Sequence, residues 1–278
     1  MPLVTMKEIL KDAREKHYAV PLFSTPTLNT AVGVLRAAEA VNAPVIFGFY
    51  DLWIEYPEAH AVCAGIRELA ENSSVPVSLM LDHGKSFKQC IKAIRYGFTD
   101  VMFDGSALPF EENVRITKLI CEAAHGIGVG VEAELGHVGW GDQYDDANVK
   151  SNYTKPEMLE EFVKETGVDF LAVAIGTAHG DYKSTPKLDL DLLVELNAIS
   201  RVPLVLHGGS GLSEAQFLGS IERGIAKVNV ATAIFNEYVK RVSEAKNYDI
   251  IALEEMERQT FAEVCTYFLK LFRANDRG

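Results

Sequence analysis

Short apolar runs alternate with amphipathic stretches along the whole chain. Eight runs rich in Val, Ile, Leu and Phe recur at intervals of about 20 to 40 residues. They cover residues 19–24, 43–49, 75–81, 100–106, 128–136, 169–176, 202–208 and 225–231. Because these runs are continuous rather than alternating, they are typical of strands that are buried on both faces, as in a parallel sheet. The stretches between them have the period of helices.

Eight strand–helix units close a TIM barrel, so the pattern predicts an α/β protein with the (β/α)8 fold. Residues 233–275 continue as a long helical stretch and are predicted to form additional C-terminal helices. Since no linker or second domain is visible, residues 1–278 are expected to form a single TIM-barrel domain. A doubly wound sheet is the alternative, but no GxGxxG motif follows the first run.

The charge balance limits the class of partner. The chain has 278 residues, of which 27 are Lys or Arg and 39 are Asp or Glu, giving a formal net charge of -12. Such a surface repels phosphate backbones, which argues against nucleic acid or an anionic membrane as the main partner. A phosphorylated metabolite would therefore have to be bound by local hydrogen-bond donors.

The expected compartment follows from what the sequence does not contain. The first helical turns are charged and have no apolar region of the signal-peptide type. No stretch approaches the roughly 20 apolar residues of a membrane span. The four cysteines are scattered and form no CxxC motif. We therefore expect a soluble, cytoplasmic protein with free thiols.

Histidines stand at the ends of three predicted strands. His83 follows the third run, His179 follows the sixth and His207 ends the seventh. Because the carboxyl ends of barrel strands meet at one face, where the active sites of TIM barrels lie, these imidazoles are predicted to converge. Three neutral imidazoles with an open coordination position are typical of catalytic zinc. An iron site with two histidines and one carboxylate, from Asp82 or Glu134, is the alternative.

Asp82 precedes His83, and successive side chains of a strand point to opposite faces. Both can reach one site only where the pleat is broken, and Gly84 is predicted to supply that break. Asp82 would then lie beside the metal, where it can act as a general acid or base for a bound oxygen. The alternative is that Asp82 only orients an imidazole.

Small residues and hydroxyls follow the last two predicted strands. The loops after strands seven and eight are where TIM barrels often bind phosphate, through backbone N–H groups and hydroxyls. Just past His179, a glycine and a lysine could add a backbone donor and a cation. The predicted phosphate-binding residues are Gly180, Lys183, Gly208, Gly209, Ser210, Asn229, Val230, Ala231 and Thr232.

A metal with open positions, a phosphate site and a nearby carboxylate fit a small phosphorylated compound whose carbonyl or hydroxyl oxygens chelate the metal. The metal would act as a Lewis acid that stabilises an enediolate, while Asp82 moves the proton on the partner oxygen. The expected chemistry is carbon–carbon bond cleavage or proton abstraction next to a carbonyl.

Six motifs lie in order over most of the chain. They are LDHG (81–84), FDGSALPFEENV (103–114), VEAELG (131–136), AVAIGTAHGDYK (172–183), PLVLHGGSGL (203–212) and KVNVAT (227–232). As a set they closely resemble the class II, metal-dependent ketose-bisphosphate aldolases. The resemblance implies an aldehyde-lyase that reversibly cleaves a ketose 1-phosphate or ketose 1,6-bisphosphate into dihydroxyacetone phosphate and an aldehyde.

The resemblance also implies a role for each matching residue. The three histidines would bind one catalytic Zn2+, and Asp82 would be the acid/base on the oxygen of the cleaved bond. The predicted phosphate-binding residues would hold the dihydroxyacetone phosphate half. Asp104 and Glu134 match carboxylates that are associated with a second or alternative cation. The resemblance and the helical tail favour a homodimer or homotetramer.

The chain departs from this family at several strand ends. The changed residues are Ser24, Phe49, Met80, Ala107 and Ala233. In the loop after VEAELG, which is mobile in the family, Asp142 or Asp145 would stand in for the usual acidic residues. Since the metal and phosphate motifs are intact, we hypothesise that the aldehyde is not glyceraldehyde 3-phosphate but one that is larger or less charged.

Three other functions stay open from the sequence. One is a metal-dependent phosphosugar isomerase or hydrolase on the same barrel. Another is a Schiff-base aldolase, for which Lys227 in the eighth run is the available lysine. The third is a non-catalytic sugar-phosphate-binding homologue, which the altered strand ends would explain.

Overall fold

The computed structural model describes residues 2–141, 150–182, 186–246 and 249–278. The strands are β1 (Val20–Ser24), β2 (Val45–Tyr50), β3 (Val77–Gly84), β4 (Asp100–Phe103), β5 (Gly130–Leu135), β6 (Gly139–Trp140), β7 (Phe170–Val173), β8 (Ala178–His179), β9 (Leu204–Leu206) and β10 (Ile225–Val230). Eight of them form a closed parallel barrel in the order β1-β10-β9-β7-β5-β4-β3-β2. The prediction of a (β/α)8 TIM barrel is therefore confirmed.

A helix follows each barrel strand, one helix precedes the barrel and one ends the chain. They are α1 (Met6–Lys16), α2 (Leu28–Ala40), α3 (Ala59–Glu71), α4 (Phe87–Arg95), α5 (Phe110–His125), α6 (Pro156–Thr166), α7 (Leu190–Ile199), α8 (Glu214–Glu222), α9 (Thr232–Glu244) and α10 (Ile250–Leu271). None of the described helices combines the length and the apolar character that crossing a bilayer requires. That residues 1–278 form one domain stays a prediction.

Local sequence signals start and stop these helices. At the start of α8, the Ser213 hydroxyl accepts a hydrogen bond from the Gln216 N–H. In return, Gln216 Oε1 accepts a hydrogen bond from the Ser213 N–H. Helix α6 has Pro156 at its first position and ends at Gly167, whose φ of 71° lies in the left-handed region. These boundaries place the strand ends that carry polar side chains at one face of the barrel.

Two of the predicted strand ends differ in the structure. Strand β3 extends to Gly84, so Asp82 and His83 lie within it rather than after it. His179 belongs to β8, which pairs with β6 in a separate two-stranded parallel ladder, Gly139 with Ala178 and Trp140 with His179. This ladder brings His179 over the end of the barrel.

Helix α1 is held against the amino-terminal ends of the strands. Its first N–H, from Met6, donates to Asp100 Oδ2 at 3.0 Å, and Leu3 forms a parallel bridge to Val77. The Arg14 guanidinium donates to three backbone carbonyls before β9. The chemistry-bearing residues therefore lie at the other, carboxyl end of the barrel.

The predicted helical stretch after the last barrel strand is confirmed: α9 is the helix that follows β10, and α10 is an additional C-terminal helix. Helix α10 packs against α2. Gly33 permits this close approach, because a Cβ there would lie 2.6 Å from both the Arg258 carbonyl oxygen and the Phe261 Cβ. The end of the chain thus covers the outside of the first strand–helix unit.

The fully buried Asp100 gives a pH dependence of stability. Burial raises the pKa of its carboxyl from 3.8 to about 6, although hydrogen bonds from Ser78 and Met6 act in the opposite direction and lower it. The folded state therefore binds this proton more tightly than the unfolded state, and stability falls as pH rises from about 4 to about 6. The difference corresponds to ~3 kcal/mol, because each tenfold change in proton affinity is worth ~1.4 kcal/mol.

We expect Asp100→Asn, which cannot ionise, to gain ~3 kcal/mol of stability relative to wild type between pH 4 and pH 7. Urea unfolding of the chelator-treated proteins across this range measures the difference. Asp191→Asn, at an exposed position, is the matched control and should track wild type. A pH-independent difference between Asp100→Asn and wild type would contradict the assignment.

Candidate active site

A cavity of about 330 Å³ opens at the carboxyl end of the barrel. Its lining combines the ends of strands with residues of the loops that follow them. The lining residues include Ser24, Tyr50, Trp53, Asp82, His83, Lys85, Asp104, His137, Val138, Trp140, His179, Gly180, Gly208, Gly209, Ser210, Asn229, Ala231, Thr232 and Phe235. Most of the residues singled out in the sequence therefore meet in one place, as the strand-end argument predicts.

The three predicted histidines converge: His83 and His179 line this cavity, and the fully buried His207 packs against them. Ring centroids lie 4.7 Å apart for His83 and His179, 4.6 Å for His83 and His207, and 6.0 Å for His179 and His207. Glu134 joins them, and one ligand atom from each of the four residues lies within 4.8 Å of the others. A carboxylate and three imidazoles at this spacing can hold a metal ion.

Carboxylates outside the cluster fix which ring nitrogens face it. His83 Nδ1 lies 3.0 Å from Asp104 Oδ2, and His207 Nε2 lies 2.9 Å from Glu132 Oε1. Because ionised carboxylates only accept hydrogen bonds, these nitrogens carry the protons. His83 Nε2 and His207 Nδ1 are therefore the atoms left for a metal.

The buried atoms of His207 and Glu134 lack partners. His207 Nδ1 and Glu134 Oε2 lie 3.2 Å apart, and neither has a hydrogen-bond partner among the described residues. Both side chains are essentially inaccessible to solvent. Buried polar atoms are rarely left without partners, so this pair fits a site completed by a cation.

The break in β3 lies at His83 rather than at Gly84, which corrects the prediction. His83 has a φ of 55°, in the left-handed region, and the β3–β4 register shifts between Leu81 and Gly84. This bulge lets Asp82 and His83 both reach the cavity. Gly84 serves a different need, because a Cβ there would lie 2.6 Å from the Met102 carbonyl oxygen.

Asp82 lies beside the metal cluster and not in it. Its Oδ1 accepts a hydrogen bond from Asn229 Nδ2 at 2.9 Å and lies 3.9 Å from His83 Nε2. The residue is only 6% exposed, yet it lines the cavity. This is a position from which a carboxylate can exchange a proton with a ligand.

Glu132 is a site residue that the sequence reasoning missed. It lies inside the barrel with Lys227 Nζ 2.9 Å from its Oε2, and both side chains are 0% exposed. The sequence contained a signal for Glu132, because Glu132 and Glu134 are two residues apart in β5 and therefore point to the same face of the sheet.

These buried charges set the protonation of the histidines. Burial opposes charge on His207, but the carboxylates of Glu132 and Glu134 outweigh it and raise its pKa to about 9. Desolvation, together with repulsion from His83 and His207, lowers the pKa of His179 well below its usual value. His179 is thus neutral, as a metal ligand must be, and metal binding at His207 would release a proton.

Asp104 lies outside the four-residue cluster. Its Oδ2 accepts from Lys85 Nζ at 2.5 Å and its Oδ1 from Ser106 Oγ at 2.7 Å. Burial opposes ionisation, but contacts with His83, Lys85 and Ser106 hold the pKa of this carboxyl well below its usual range. Its contact with His83 makes it an orienting group for that imidazole, and a second cation at Asp104 stays a prediction.

The predicted phosphate loops border the cavity beside the start of α9. The residues found there are Gly180, Gly208, Gly209, Ser210, Asn229, Ala231 and Thr232. Helix α9 begins at Thr232, so its positive dipole end lies at this rim, where the Ala233 N–H donates to Ser210 Oγ at 3.1 Å. Val230 is 0% exposed and does not line the cavity, which leaves only its backbone for such a role. Lys183 lies outside the described residues.

Of the five changed residues, only Ser24 lines the cavity. Met80 is fully buried and pairs with Gly48 inside the barrel, and Phe49 packs behind Trp53. Ala107 and Ala233 do not line the cavity, and Asp142 and Asp145 lie outside the described residues.

The sequence reasoning missed the aromatic residues that do line the cavity. Tyr50 is the last residue of β2, Trp53 follows that strand, Trp140 lies in β6 and Phe235 lies in the first turn of α9. Burial of Tyr50 is the main cause that raises its pKa to about 12, and repulsion from Asp51 and other nearby carboxylates adds to it. The phenol therefore keeps its proton and can donate a hydrogen bond.

Glu132 is expected to be required for metal affinity, because it fixes the His207 ring. Glu132→Gln should lower zinc affinity by roughly 10–100-fold, as the loss of a carboxylate behind a ligand histidine does. Competition with a chromogenic chelator measures this.

Glu132→Gln leaves the buried Lys227 without a counter-charge, which can destabilise the fold. The double variant Glu132→Gln/Lys227→Met removes this charge, so that a loss of zinc affinity can be distinguished from a loss of folding. The exposed Glu157→Gln is the control. Unchanged zinc affinity in both Glu132 variants would show that the carboxylate does not orient His207.

Comparison with known proteins identifies the family. The family model described as "Fructose-bisphosphate aldolase class-II" matches residues 4–277. The fructose-bisphosphate aldolase of Staphylococcus epidermidis is 43% identical over 252 residues, covering 90% of this chain and 88% of that protein. The fructose-bisphosphate aldolase of Geobacillus stearothermophilus is 43% identical over 247 residues, covering 88% and 86%.

A solved structure shows the same similarity in three dimensions. The YdjI aldolase from Escherichia coli K12 superposes with a TM-score of 0.91 at 34% identity, covering 99% of each chain. The matched family model, the related sequences and the converging histidines agree. The chain belongs to the class II fructose-bisphosphate aldolase family, whose members are in general zinc-dependent aldehyde-lyases.

Proposed function

We propose that the chain cleaves a ketose 1-phosphate or ketose 1,6-bisphosphate reversibly into dihydroxyacetone phosphate and an aldehyde, with one catalytic zinc ion. The observation that carries this proposal is the arrangement of residues at one cavity: a cluster of three converging imidazoles, two of which line the cavity, a carboxylate beside them and a rim of glycine loops. The family membership supports the same reaction class.

The donor set fits zinc. Imidazole nitrogen and carboxylate oxygen are ordinary zinc ligands, and His83, His179 and His207 with Glu134 supply four of them. Bound there, zinc would supply Lewis-acid polarisation of the substrate's oxygens. A second cation at Asp104 has less support, because Lys85 already neutralises that carboxylate.

Asp82 is the proposed general acid/base. Its carboxylate takes the proton from the hydroxyl on the carbon that becomes the aldehyde, while the adjacent carbon–carbon bond breaks. The bonding electron pair passes to the ketone half, which then takes up a proton to become dihydroxyacetone phosphate. In the condensing direction Asp82 returns its proton to the new hydroxyl. The hydrogen bond from Asn229 holds the carboxylate in place for both directions.

The glycine loops and the start of α9 would hold the phosphate of the dihydroxyacetone phosphate half. Gly208 and Gly180 line the cavity and have positive φ values of 67° and 79°, conformations that side chains rarely adopt and that occur in anion-binding loops. Backbone donors explain how an acidic protein can bind a phosphorylated ligand.

The rival functions have less support. A Schiff-base mechanism needs an accessible neutral lysine, but Lys227 is 0% exposed and paired with Glu132. An isomerase or hydrolase would release no dihydroxyacetone phosphate from any ketose phosphate. A non-catalytic binding protein would bind without turnover even when zinc is supplied.

We further propose that the protein works in the cytoplasm as a homodimer or homotetramer and that its aldehyde product is not glyceraldehyde 3-phosphate. Ile250 and Ile251, at the start of α10, are 69% and 74% exposed, which supports a surface covered by another subunit. Light scattering on the purified protein measures the subunit count. Full activity on fructose 1,6-bisphosphate would contradict the proposal on the aldehyde.

Retro-aldol assays test the main proposal. Zinc-loaded protein should release dihydroxyacetone phosphate from at least one substrate in a panel of ketose 1-phosphates and the fructose and tagatose bisphosphates, detected by coupled reduction. Asp82→Asn should lower kcat by roughly 10²–10⁴-fold, the usual contribution of a general acid/base, at unchanged zinc content. Asp191→Asn is the control, and an Asp82→Asn variant with wild-type kcat would rule out this role.

A further inference from the structure

We propose that the cavity holds an unphosphorylated, polyhydroxylated aldehyde against an aromatic wall formed by Tyr50, Trp53 and Phe235. The inference rests on the proposed retro-aldol reaction and specifies its second product. It follows from three observations: the geometry of the wall, its position next to Asp82, and the charges around it.

The aromatic wall is a packed surface. The ring centroids of Tyr50 and Trp53 lie 5.9 Å apart at 70°, and those of Trp53 and Phe235 lie 6.4 Å apart at 87°. Phe49 supports Trp53 from behind at 5.7 Å, and Phe261 supports Phe235 at 6.0 Å. Edge-to-face contacts of this kind stabilise one arrangement of the rings.

The wall adjoins the proposed acid/base. Tyr50 ends β2 in register with Asp82 on β3, and its ring centroid lies 6.1 Å from that of His83. Asp82 exchanges its proton with the oxygen on the carbon that becomes the aldehyde. The carbons beyond that atom therefore extend past Asp82 toward the wall, while the phosphate of the other half occupies the rim at Thr232.

The charges near the wall disfavour a second phosphate. Among the described residues that line the cavity, Lys85 is the only Lys or Arg, and it is paired with Asp104 at 2.5 Å. Asp82 and Asp104 add negative charge at the same end. Phosphate sites in proteins rely on Arg or Lys side chains or on helix N-termini, and the N-terminus of α9 already serves the first phosphate.

The wall instead suits a hydroxylated carbon chain. Aromatic rings pack against the apolar C–H faces of such a chain, while the Tyr50 hydroxyl, the Trp53 indole N–H and the Ser24 hydroxyl offer polar contacts at the edges. Desolvating hydroxyls beside such groups costs far less than desolvating a phosphate dianion.

Matched aldehyde pairs test the inference in the condensing direction. Zinc-loaded protein is given dihydroxyacetone phosphate with D-glyceraldehyde or glyceraldehyde 3-phosphate, and with D-erythrose or erythrose 4-phosphate. We expect kcat/KM to be higher by roughly tenfold or more for the unphosphorylated member of each pair. Equal or better use of the phosphorylated members would overturn the inference.

Two variants connect the selectivity to the wall. Trp53→Ala should raise KM for the aldehyde by roughly tenfold while leaving KM for dihydroxyacetone phosphate unchanged. Phe235→Arg should shift selectivity toward phosphorylated aldehydes by roughly tenfold, because it supplies the missing cation. Tyr56→Ala, at an exposed position outside the cavity, is the control for both.

Zinc content and circular dichroism establish that each variant is folded. An unchanged aldehyde KM in folded Trp53→Ala would exclude the wall as the subsite. Absence of adduct with every aldehyde, together with no dihydroxyacetone phosphate from any ketose phosphate, would instead refute the proposed function and this inference with it. The two failures are therefore distinguishable.

Discussion

The contact of Glu132 with Lys227 and His207 connects the fold to the site. It joins β5 and β10 to His207, the residue after β9, across the barrel interior, with all three side chains 0% exposed. A carboxylate is not stable there alone, because its desolvation costs several kcal/mol, so the lysine and the imidazole must both be present. Burial alone would raise the pKa of Glu132, and these two partners lower it instead. The orientation of His207, a proposed metal ligand, therefore depends on the closed barrel.

The cavity is divided by the kind of group that forms each part. The loops after β9 and β10 form the proposed phosphate side, where Gly208 and Gly209 admit no Cβ without collision. Side chains form the aromatic wall, with Tyr50 at the end of β2, Trp53 after it and Phe235 in α9. Backbone geometry changes little when a side chain is replaced, so a family can keep one half of its substrate while the other half varies.

The sequence predicted the barrel because continuous apolar runs are a strong signal, and all eight became barrel strands. It also predicted the histidines and Asp82, because strand ends of a barrel must meet. It could not place the left-handed break at His83, which depends on packing against β4, nor the separate ladder of His179. Buried Glu132 was missed because a charged residue in a strand is ordinarily at the surface.

The changed residues show why a departure in sequence does not locate a departure in function. Met80, one of the changed residues, fills the barrel interior beside Gly48, where a Cβ would lie 2.4 Å from the Leu22 side chain. Its neighbour two positions along β3, Asp82, reaches the cavity because it lies one layer higher. The period of two along a strand tells which side chains point inward, but not how deep in the barrel they lie. This depth decides whether an inward side chain packs in the core or contacts the substrate. Of the changed residues, only Ser24, at the end of β1, lines the cavity; Tyr50, the neighbour of the changed Phe49, also lines it at the end of β2.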